Sequence, residues 1–131
     1  MIRVTSFLLI LFTVLTAATC SPTAKNVALA ENCFKGKLVI KGICMNYVVQ
    51  VVQGDTSKLK VAATWMDETT DKTYSNVFAL GSKCNFPDMQ EGDEFYFTLA
   101  DKPEEGCNVC LAYRSVPAVA NHIMVHKERC P

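Results

Sequence analysis

The sequence predicts a mainly β (α+β) domain: a small closed five-stranded β-barrel with an N-terminal and a C-terminal helix, cross-linked by disulfides. Two observations predict this class. Short stretches rich in valine, isoleucine and aromatic residues alternate with turn-forming residues along most of the chain. Seven cysteines in 131 residues favour a small core stabilised by disulfides. A chain of this length has room for one domain.

The strands are predicted from residue type and periodicity. Leu38 to Val52 is dominated by Val, Ile and Tyr, so we expect one long strand bent near Gly42, or two strands. From Leu59 to Trp65 every second residue is apolar, which is the period of a half-buried strand. A polar hairpin tip from Asp67 to Lys72 follows. The remaining predicted strands are Tyr74–Leu80, Glu94–Leu99 and Val109–Ser115.

One helix is predicted at each end of the strand region. Proline is tolerated in the first turn of a helix, because the N–H that it lacks would be unpaired there. Pro22 therefore fits the start of a short helix that runs to Glu31, and Pro117 can open a final helix. The predicted common face of that final helix consists of Val119, Ala120, Ile123, Met124 and Lys127.

Residues 1–19 have the pattern of a secretory signal peptide. Arg3 precedes an apolar run from Phe7 to Leu15, and small residues follow. A membrane-spanning helix needs about 20 apolar residues, more than this run provides. We therefore expect residues 1–19 to be removed, and residues 20–131 to form one secreted, extracellular domain without membrane attachment. Cleavage before Cys20 leaves seven cysteines, and cleavage after Cys20, which the small-residue pattern also allows, leaves six.

Composition excludes several classes of function. The 13 basic and 13 acidic side chains give a formal charge of zero, so there is no basic field that would attract nucleic acid. The sequence contains no phosphate-binding glycine loop, no nucleophile elbow and no Asn-x-Ser/Thr acceptor. We expect no cofactor.

Two patterns could indicate an enzyme, and both are weak. His122 and His126 have the i, i+4 spacing of a zinc-protease helix, but Ile123 stands where the general-base glutamate is required and no third ligand is evident. Cys107 and Cys110 have the C-x-x-C spacing of redox pairs, which requires both to lack other partners. The sequence therefore predicts a protein that is not an enzyme and has no metal of its own.

Several short motifs recur in one order along the mature chain. They are Cys20-Ser21-Pro22, Asn32-Cys33 leading into Leu38–Lys41, Ser82-Lys83-Cys84, Glu94-Phe95, Cys110, Val116-Pro117 and Cys130. Together they resemble the netrin-like domain, and within it the inhibitory N-terminal domain of the tissue inhibitors of metalloproteinases. The same arrangement is similar to small secreted netrin-like proteins of parasitic nematodes. The resemblance extends over the whole mature chain and implies an OB-like barrel.

The resemblance implies the disulfides Cys20–Cys84 and Cys33–Cys130. This chain departs from the inhibitors at Pro22, where they carry a second cysteine, so the bridge of that cysteine cannot form. Cys44 is an additional cysteine, and we expect it to pair with Cys110 or, as the alternative, with Cys107. One thiol is then left over, which leaves a monomer and a disulfide-linked dimer both open.

The resemblance also implies a mechanism. In the inhibitors, the α-amine and carbonyl of the N-terminal cysteine bind the zinc of the protease. Here Cys20 would bind the zinc of a metalloproteinase and Ser21 would enter its specificity pocket, next to Pro22. The supporting ridge would be Ser82-Lys83-Cys84. The alternative is a netrin-like effector that sequesters a host or other extracellular protein, with immunomodulatory effect and no protease inhibition, and the missing second cysteine favours it.

Overall fold

Strands account for most of the regular secondary structure in the computed structural model, which describes residues 28–102 and 106–131. Two short 3-10 turns, Ile43–Met45 and Thr56–Lys58, complete the regular elements. The predicted mainly β character is confirmed. The strands are β1 (Phe34–Lys41), β2 (Tyr47–Gln53), β3 (Ala62–Asp67), β4 (Lys72–Leu80), β5 (Glu94–Leu99), β6 (Ala120–Asn121) and β7 (Ile123–His126).

All seven strands belong to one sheet. Its main path runs β3-β4-β2-β1-β5-β7, with antiparallel pairing throughout, and β6 lies beside β4 in parallel. Among the described residues, the end strands β3 and β7 do not pair with each other. The sheet is therefore not closed, and the predicted closed five-stranded barrel is wrong. Only His122 separates β6 from β7, so the segment from Ala120 to His126 pairs with β4 at one end and with β5 at the other.

The strand pair β1–β2 confirms the two-strand alternative for residues 38–52. Side chains alternate along β1, with Phe34, Leu38 and Ile40 buried, and lysines at the intervening positions only half-buried. This is the period of a strand with one face on the core. The 3-10 turn at Ile43–Met45 reverses the chain after Gly42.

The core lies between strands that are buried on both faces. Four consecutive residues of β4, from Val77 to Leu80, are buried, as are the first three residues of β2. The larger of two apolar clusters is centred on Phe97, whose ring lies 5.3 Å from that of Phe34, 5.8 Å from Phe78 and 5.9 Å from Phe95. Such aromatic pairs stabilise a core beyond the area that they bury.

The C-terminal helix prediction is wrong, because residues 120–126 form β6 and β7. In this segment Asn121 and Ile123 are buried while Ala120 and Met124 are exposed. This period of two fits a strand, and a short apolar segment can satisfy both periodicities. The predicted strand Val109–Ser115 has no regular secondary structure either.

The N-terminal helix prediction falls mainly on residues outside the described part of the chain, as does the predicted signal peptide. From Ala28 to Glu31 the described backbone is not helical, and a turn follows in which the Cys33 N–H donates to the Ala30 carbonyl at 2.9 Å. No helix in the described residues is long and apolar enough to cross a lipid bilayer.

The other strand predictions are close to the observed ones. Glu94–Leu99 is confirmed with its bounds, and Tyr74–Leu80 lies within β4. The hairpin tip at 67–72 is confirmed by the turn between β3 and β4. The strand predicted from Leu59 begins only at Ala62, since Leu59 ends the second 3-10 turn.

Candidate functional site

The connection between β5 and β6 is the least regular part of the described chain, and it is held in place covalently. We call residues 106–119 the tethered loop. Disulfides join Cys107 to Cys84 and Cys110 to Cys44, with Cα–Cα distances of 5.5 and 5.0 Å. Long connections without secondary structure are uncommon in compact domains unless they are functional or disordered. This loop is joined covalently to the rest of the fold at two positions.

The first anchor of the loop is the turn between β1 and β2. Cys44 and Met45 have φ angles of 54° and 57°, in the left-handed region that few side chains adopt. A Cβ at Gly42 would overlap the Asn46 carbonyl oxygen and lie 2.9 Å from Cδ of Arg114. The turn therefore requires glycine at position 42, and its shape places Cys44 opposite Cys110.

The second anchor is the side chain of Asn46. Its Nδ2 donates to the carbonyl of Ile43 at 2.8 Å and to the carbonyl of Ala112 at 2.8 Å. One amide group thus closes the β1–β2 turn and fastens the tethered loop to it. The bond to Ala112 fixes the loop backbone between Leu111 and Tyr113.

The third anchor is an ion pair with a buried carboxylate. Nη2 of Arg114 lies 2.9 Å from Oδ2 of Asp67, the last residue of β3, and the Asp67 side chain is fully buried. Asp67 also accepts hydrogen bonds from the Thr69 N–H and the Thr70 hydroxyl. Nε of Arg114 is buried and has no hydrogen-bond partner among the described residues. The guanidinium of Arg114 is therefore largely buried.

Burial and hydrogen bonding shift the pKa of Asp67 in opposite directions. Burial raises the pKa of this carboxyl, but the hydrogen bonds from Thr70 and Thr69 and the charge of Arg114 outweigh it and lower the pKa below the ordinary value. Asp67 is therefore ionised at neutral pH. The third anchor, between Asp67 and Arg114, is therefore an ion pair at neutral pH.

Between these anchors the loop presents large apolar side chains to solvent. Leu111 is 97% exposed and Tyr113 is 83% exposed, and Ile43 on the adjoining turn is 62% exposed. Ile43 and Tyr113 both line a depression of about 600 Å³ that also includes Lys41, Glu68 and Arg114. We call Ile43, Leu111 and Tyr113 the apolar tip. Single exposed apolar residues are common on protein surfaces, whereas several on a loop and on the turn to which it is bonded suggest an interaction site.

A second depression lies beside β5 and β7. It has a volume of about 530 Å³, and its lining includes Leu99, Met124 and Asp101. Its larger apolar residues belong to β5 and β7, and its charged residues, Asp101 and Lys102, follow β5. It lacks the set of anchors that fixes the apolar tip, and Met124 in its wall provides a matched exposed control.

The predicted ridge residues do not form a free surface. Ser82 is buried, and its hydroxyl accepts a hydrogen bond from the Ile123 N–H. Lys83 is half-buried, and Cys84 is bonded to Cys107. Ser82 therefore connects β4 to the β6–β7 segment, and the contact ridge of residues 82–84 stays a prediction.

The disulfides bear out part of the predicted pattern. Cys33–Cys130 forms as the resemblance implied, and Cys44 pairs with Cys110, the first of its two expected partners. The predicted Cys20–Cys84 pair is wrong, because Cys84 is bonded to Cys107. Cys107 and Cys110 therefore do not form a C-x-x-C pair with each other. The predicted N-terminal inhibitory residues, Cys20, Ser21 and Pro22, lie outside the described residues.

The two histidines are separated by the strand geometry. Nε2 of His126 lies 3.0 Å from the Thr98 hydroxyl, while Nδ1 of His122 is buried and has no partner within the described part of the chain. The i, i+4 spacing that places two side chains together on a helix spans most of a strand here. Within residues 28–102 and 106–131, no group of three His, Cys, Asp or Glu side chains could hold a metal ion.

Sequence reasoning missed the apolar tip. The sequence predicts a strand from Val109 to Ser115, and that strand gives no indication that Leu111 and Tyr113 face solvent. The available signal was the pair of cysteines at 107 and 110. Two bridges to different parts of the fold hold this segment as a loop and prevent it from joining the sheet.

No family model matches the chain, and neither the curated proteins nor the solved structures contain a match. The functional conclusion therefore depends on the fold and on the geometry of the tethered loop.

Proposed function

We propose that the chain is a secreted, disulfide-stabilised binding module that engages an extracellular protein through the apolar tip. The observation that carries this proposal is the exposure of Leu111 and Tyr113 on a loop that two disulfides, the Asn46 hydrogen bond and the Arg114–Asp67 pair hold in place. Neither side chain contributes to the core. Their exposure makes both side chains available for contact with another molecule.

The anchoring favours tight binding on physical grounds. A loop that is already ordered loses less conformational entropy when it binds. Tyrosine is enriched among the residues that dominate binding energies, since its ring buries a large area and its hydroxyl can form a hydrogen bond. Tyr113 has the residue type of such a contact, and the disulfides of the tethered loop limit the entropy that it would lose on binding.

Secretion is the second part of the proposal. Three disulfides within one chain are compatible with an extracellular protein, because disulfides persist in oxidising compartments. The signal-like pattern of residues 1–19 supports the same conclusion.

A netrin-like, OB-like arrangement is the third part, and two features support it. β1 pairs with both β2 and β5, while the segment containing β6 and β7 pairs in parallel with β4 and antiparallel with β5. Partly open five-stranded Greek-key barrels of the OB type pair in a comparable way. The Cys33–Cys130 bridge is also the one that the netrin-like resemblance implies.

Of the two mechanisms considered, we propose the sequestering module without protease inhibition. Zinc chelation by Cys20 needs its amine to be held rigidly, and the bridge expected to hold it was Cys20–Cys84. Cys84 is bonded to Cys107, and all six described cysteines pair with one another. This pairing is the specific observation against the inhibitory mechanism.

The binding proposal is tested with secreted wild-type protein, the Leu111→Ser/Tyr113→Ser variant and a Met124→Ser control. Each is immobilised and exposed to extracellular fluid, and retained proteins are quantified by mass spectrometry. We expect a partner whose retention falls about tenfold or more in the double variant and stays unchanged in the control. The dissociation constants of the purified partner then check the difference directly. Equal retention by all three proteins contradicts the proposal.

The inhibitory alternative has its own test. The mature N-terminus is determined by mass spectrometry, and the protein is assayed against a panel of zinc metalloproteinases. We expect no inhibition, whichever N-terminus is found. Inhibition that disappears on adding one residue before Cys20 would establish chelation instead.

A further inference from the structure

The three disulfides differ in their access to solvent. Cys33 and Cys130 are 2% and 8% exposed, and the Cys130 sulfur lies 3.4 Å from the Phe97 carbonyl oxygen inside the core. Cys107 and Cys110 are exposed, while their partners are half-buried. Thiol–disulfide exchange requires an attacking thiolate to reach a sulfur. The two bridges of the tethered loop are therefore open to exchange, and the core bridge is protected.

The two accessible bridges meet on one short segment. Cys107 and Cys110 are separated by two residues, the spacing at which neighbouring cysteines form a disulfide with each other in redox proteins. Here each is instead bonded to a distant element: Cys107 to Cys84 after β4, and Cys110 to Cys44 in the β1–β2 turn. The segment thus has two alternative pairings, one that ties the loop down and one that frees it.

We infer that the tethered loop is a redox-controlled element, released when its two bridges are exchanged for a Cys107–Cys110 disulfide. An external dithiol, such as the active site of a thiol oxidoreductase, reduces Cys84–Cys107 and becomes a disulfide itself. It supplies two electrons and two protons, and Cys84 and Cys107 become thiols. The Cys107 thiolate then attacks the Cys110 sulfur, so the Cys107–Cys110 bond forms and the Cys44–Cys110 bond breaks. The Cys44 thiolate takes up the proton that Cys107 lost.

The same product results when the dithiol opens Cys44–Cys110 first. The Cys110 thiolate then attacks Cys107 and releases Cys84. In both routes one equivalent of dithiol converts two loop-anchoring bridges into one bridge within the loop, leaving thiols at Cys44 and Cys84. Cys33–Cys130 is unchanged, so the sheet keeps its own cross-link.

The consequence for binding rests on the proposed function. Exchange removes both covalent anchors and leaves the Asn46 hydrogen bond to Ala112 and the Arg114–Asp67 pair. Leu111 and Tyr113 then lose their fixed position, and binding must again overcome the entropy of ordering the loop. We expect the oxidised protein to bind and the exchanged protein to release its partner.

The experiment uses the purified oxidised full chain under native conditions. It is incubated with increasing dithiothreitol, and free thiols are trapped with N-ethylmaleimide. Trypsin together with a glutamate-specific protease places Cys107 and Cys110 in one peptide, Gly106–Arg114, while Cys44 and Cys84 lie in the separate peptides 42–58 and 84–91. An internal disulfide therefore shows as an unlabelled Gly106–Arg114 peptide that has lost two hydrogens.

We expect labelled Cys44 and Cys84 to accumulate with this internally bridged peptide, at about a tenfold lower dithiothreitol concentration than opens Cys33–Cys130. A Cys84→Ala/Cys107→Ala variant lacks the Cys107 sulfur, so its opened Cys44–Cys110 bridge should give labelled Cys44 and labelled Cys110 together, whereas Cys110 stays unlabelled in the wild type. Simultaneous opening of all three bridges, or absence of the internally bridged peptide from the wild type, overturns the inference.

Exchange is measured without any partner, so its result tests the redox inference independently of the proposed function. With a partner in hand, its dissociation constant is compared for oxidised and exchanged protein. Exchange without a partner that depends on the tip contradicts the proposed function alone. Binding through the tip without exchange contradicts the redox inference alone.

Discussion

The sheet and the tethered loop are stabilised in opposite ways. The sheet is held by many buried contacts, in a core that contains five phenylalanines and most of the valines of β2 and β4. The loop has no regular structure and depends on two disulfides, one asparagine side chain and one ion pair. In the sheet many neighbouring contacts share the stabilisation of the core. In the loop each link holds a different point of the backbone by a single group.

The residues that stabilise the fold and the residues that are proposed to bind a partner lie in different parts of the molecule. Apolar side chains in the sheet face inward, and those of the apolar tip face solvent. Changes in the sheet should therefore unfold the protein without altering the binding surface of the folded fraction. Changes at the tip should alter binding without unfolding the protein.

Removal of the core bridge should have the largest effect on the free energy of unfolding. Cys33 and Cys130 are 97 residues apart, for which the chain-entropy relation gives about 4–5 kcal/mol. We expect a loss of this size in Cys33→Ala/Cys130→Ala, measured by denaturant unfolding.

Cys44→Ala/Cys110→Ala is the matched variant in the loop, with a separation of 66 residues. It should weaken partner binding, and the core-bridge variant should not while it remains folded. If the two variants affect binding equally, the separation between sheet and loop does not hold.

Phe97→Ala should be the next most destabilising change. Phe97 is fully buried and contacts the rings of Phe34, Phe78 and Phe95. Truncation of a buried phenylalanine costs about 3–5 kcal/mol, since it removes apolar contacts and leaves a cavity. Urea unfolding measures the change, and Phe97→Leu serves as the control with a smaller loss. A loss below about 1 kcal/mol in Phe97→Ala would be inconsistent with the packing around this ring.

Asp67→Asn tests the ion pair that fastens the loop to the sheet. The change leaves the largely buried Arg114 guanidinium without a counter-charge, which for a buried pair costs about 3 kcal/mol or more. We expect slightly less here, because Arg114 is partly exposed. Thermal unfolding measures the loss. Glu94→Gln, which breaks the exposed Lys35–Glu94 pair, is the control and should change stability by less than about 1 kcal/mol.

The pH dependence of stability tests the same pair. The pKa of Asp67 is lowered in the folded protein, so its contribution is present above the ordinary carboxyl pKa of about 3.9. It is lost as pH falls through the lower pKa of the folded state. Wild-type protein should therefore lose more stability than Asp67→Asn as the pH is lowered below about 4.

The difference between the two proteins isolates Asp67. Glu31, Asp55 and Glu94 also have lowered pKa values, from hydrogen bonds at the surface, but they are common to both proteins and cancel. Parallel stability curves for wild type and Asp67→Asn would show that the pair does not contribute.

The smallest effect on stability is expected at the apolar tip. Leu111 and Tyr113 lie almost wholly in solvent, and surface substitutions away from special features usually stay within about 0.5 kcal/mol. Leu111→Ser/Tyr113→Ser should therefore unfold at the same denaturant concentration as wild type. A marked loss of stability would mean that these side chains pack against the fold.

The contrast between β5 and the tethered loop shows what sequence reasoning could reach. In β5, the aromatic and β-branched residues from Phe95 to Thr98 predict a strand with the observed bounds. Residues 109–115 carry a comparable pattern of apolar residues, yet they form no strand. Local pattern reports which side chains favour burial, but two disulfides to distant elements decide whether this segment can reach the sheet.

The helix prediction for the segment from Ala120 to His126 is wrong for a related reason. Its apolar residues fit a helix face as well as a strand face, and only the open positions beside β4 and β5 select the strand. Likewise, Ser82 reads as a surface residue by type, and its burial depends on the Ile123 N–H that it bonds.

Sequence alone determined the β-rich class, the turn near Gly42, the strand at Glu94–Leu99 and the need for disulfides, because these depend on neighbouring residues and on counts. Only the tertiary structure decided that Cys84 pairs with Cys107, that Asp67 and Arg114 meet, and that Leu111 and Tyr113 face solvent. These features join residues far apart in the chain, so they depend on which elements the sheet brings together.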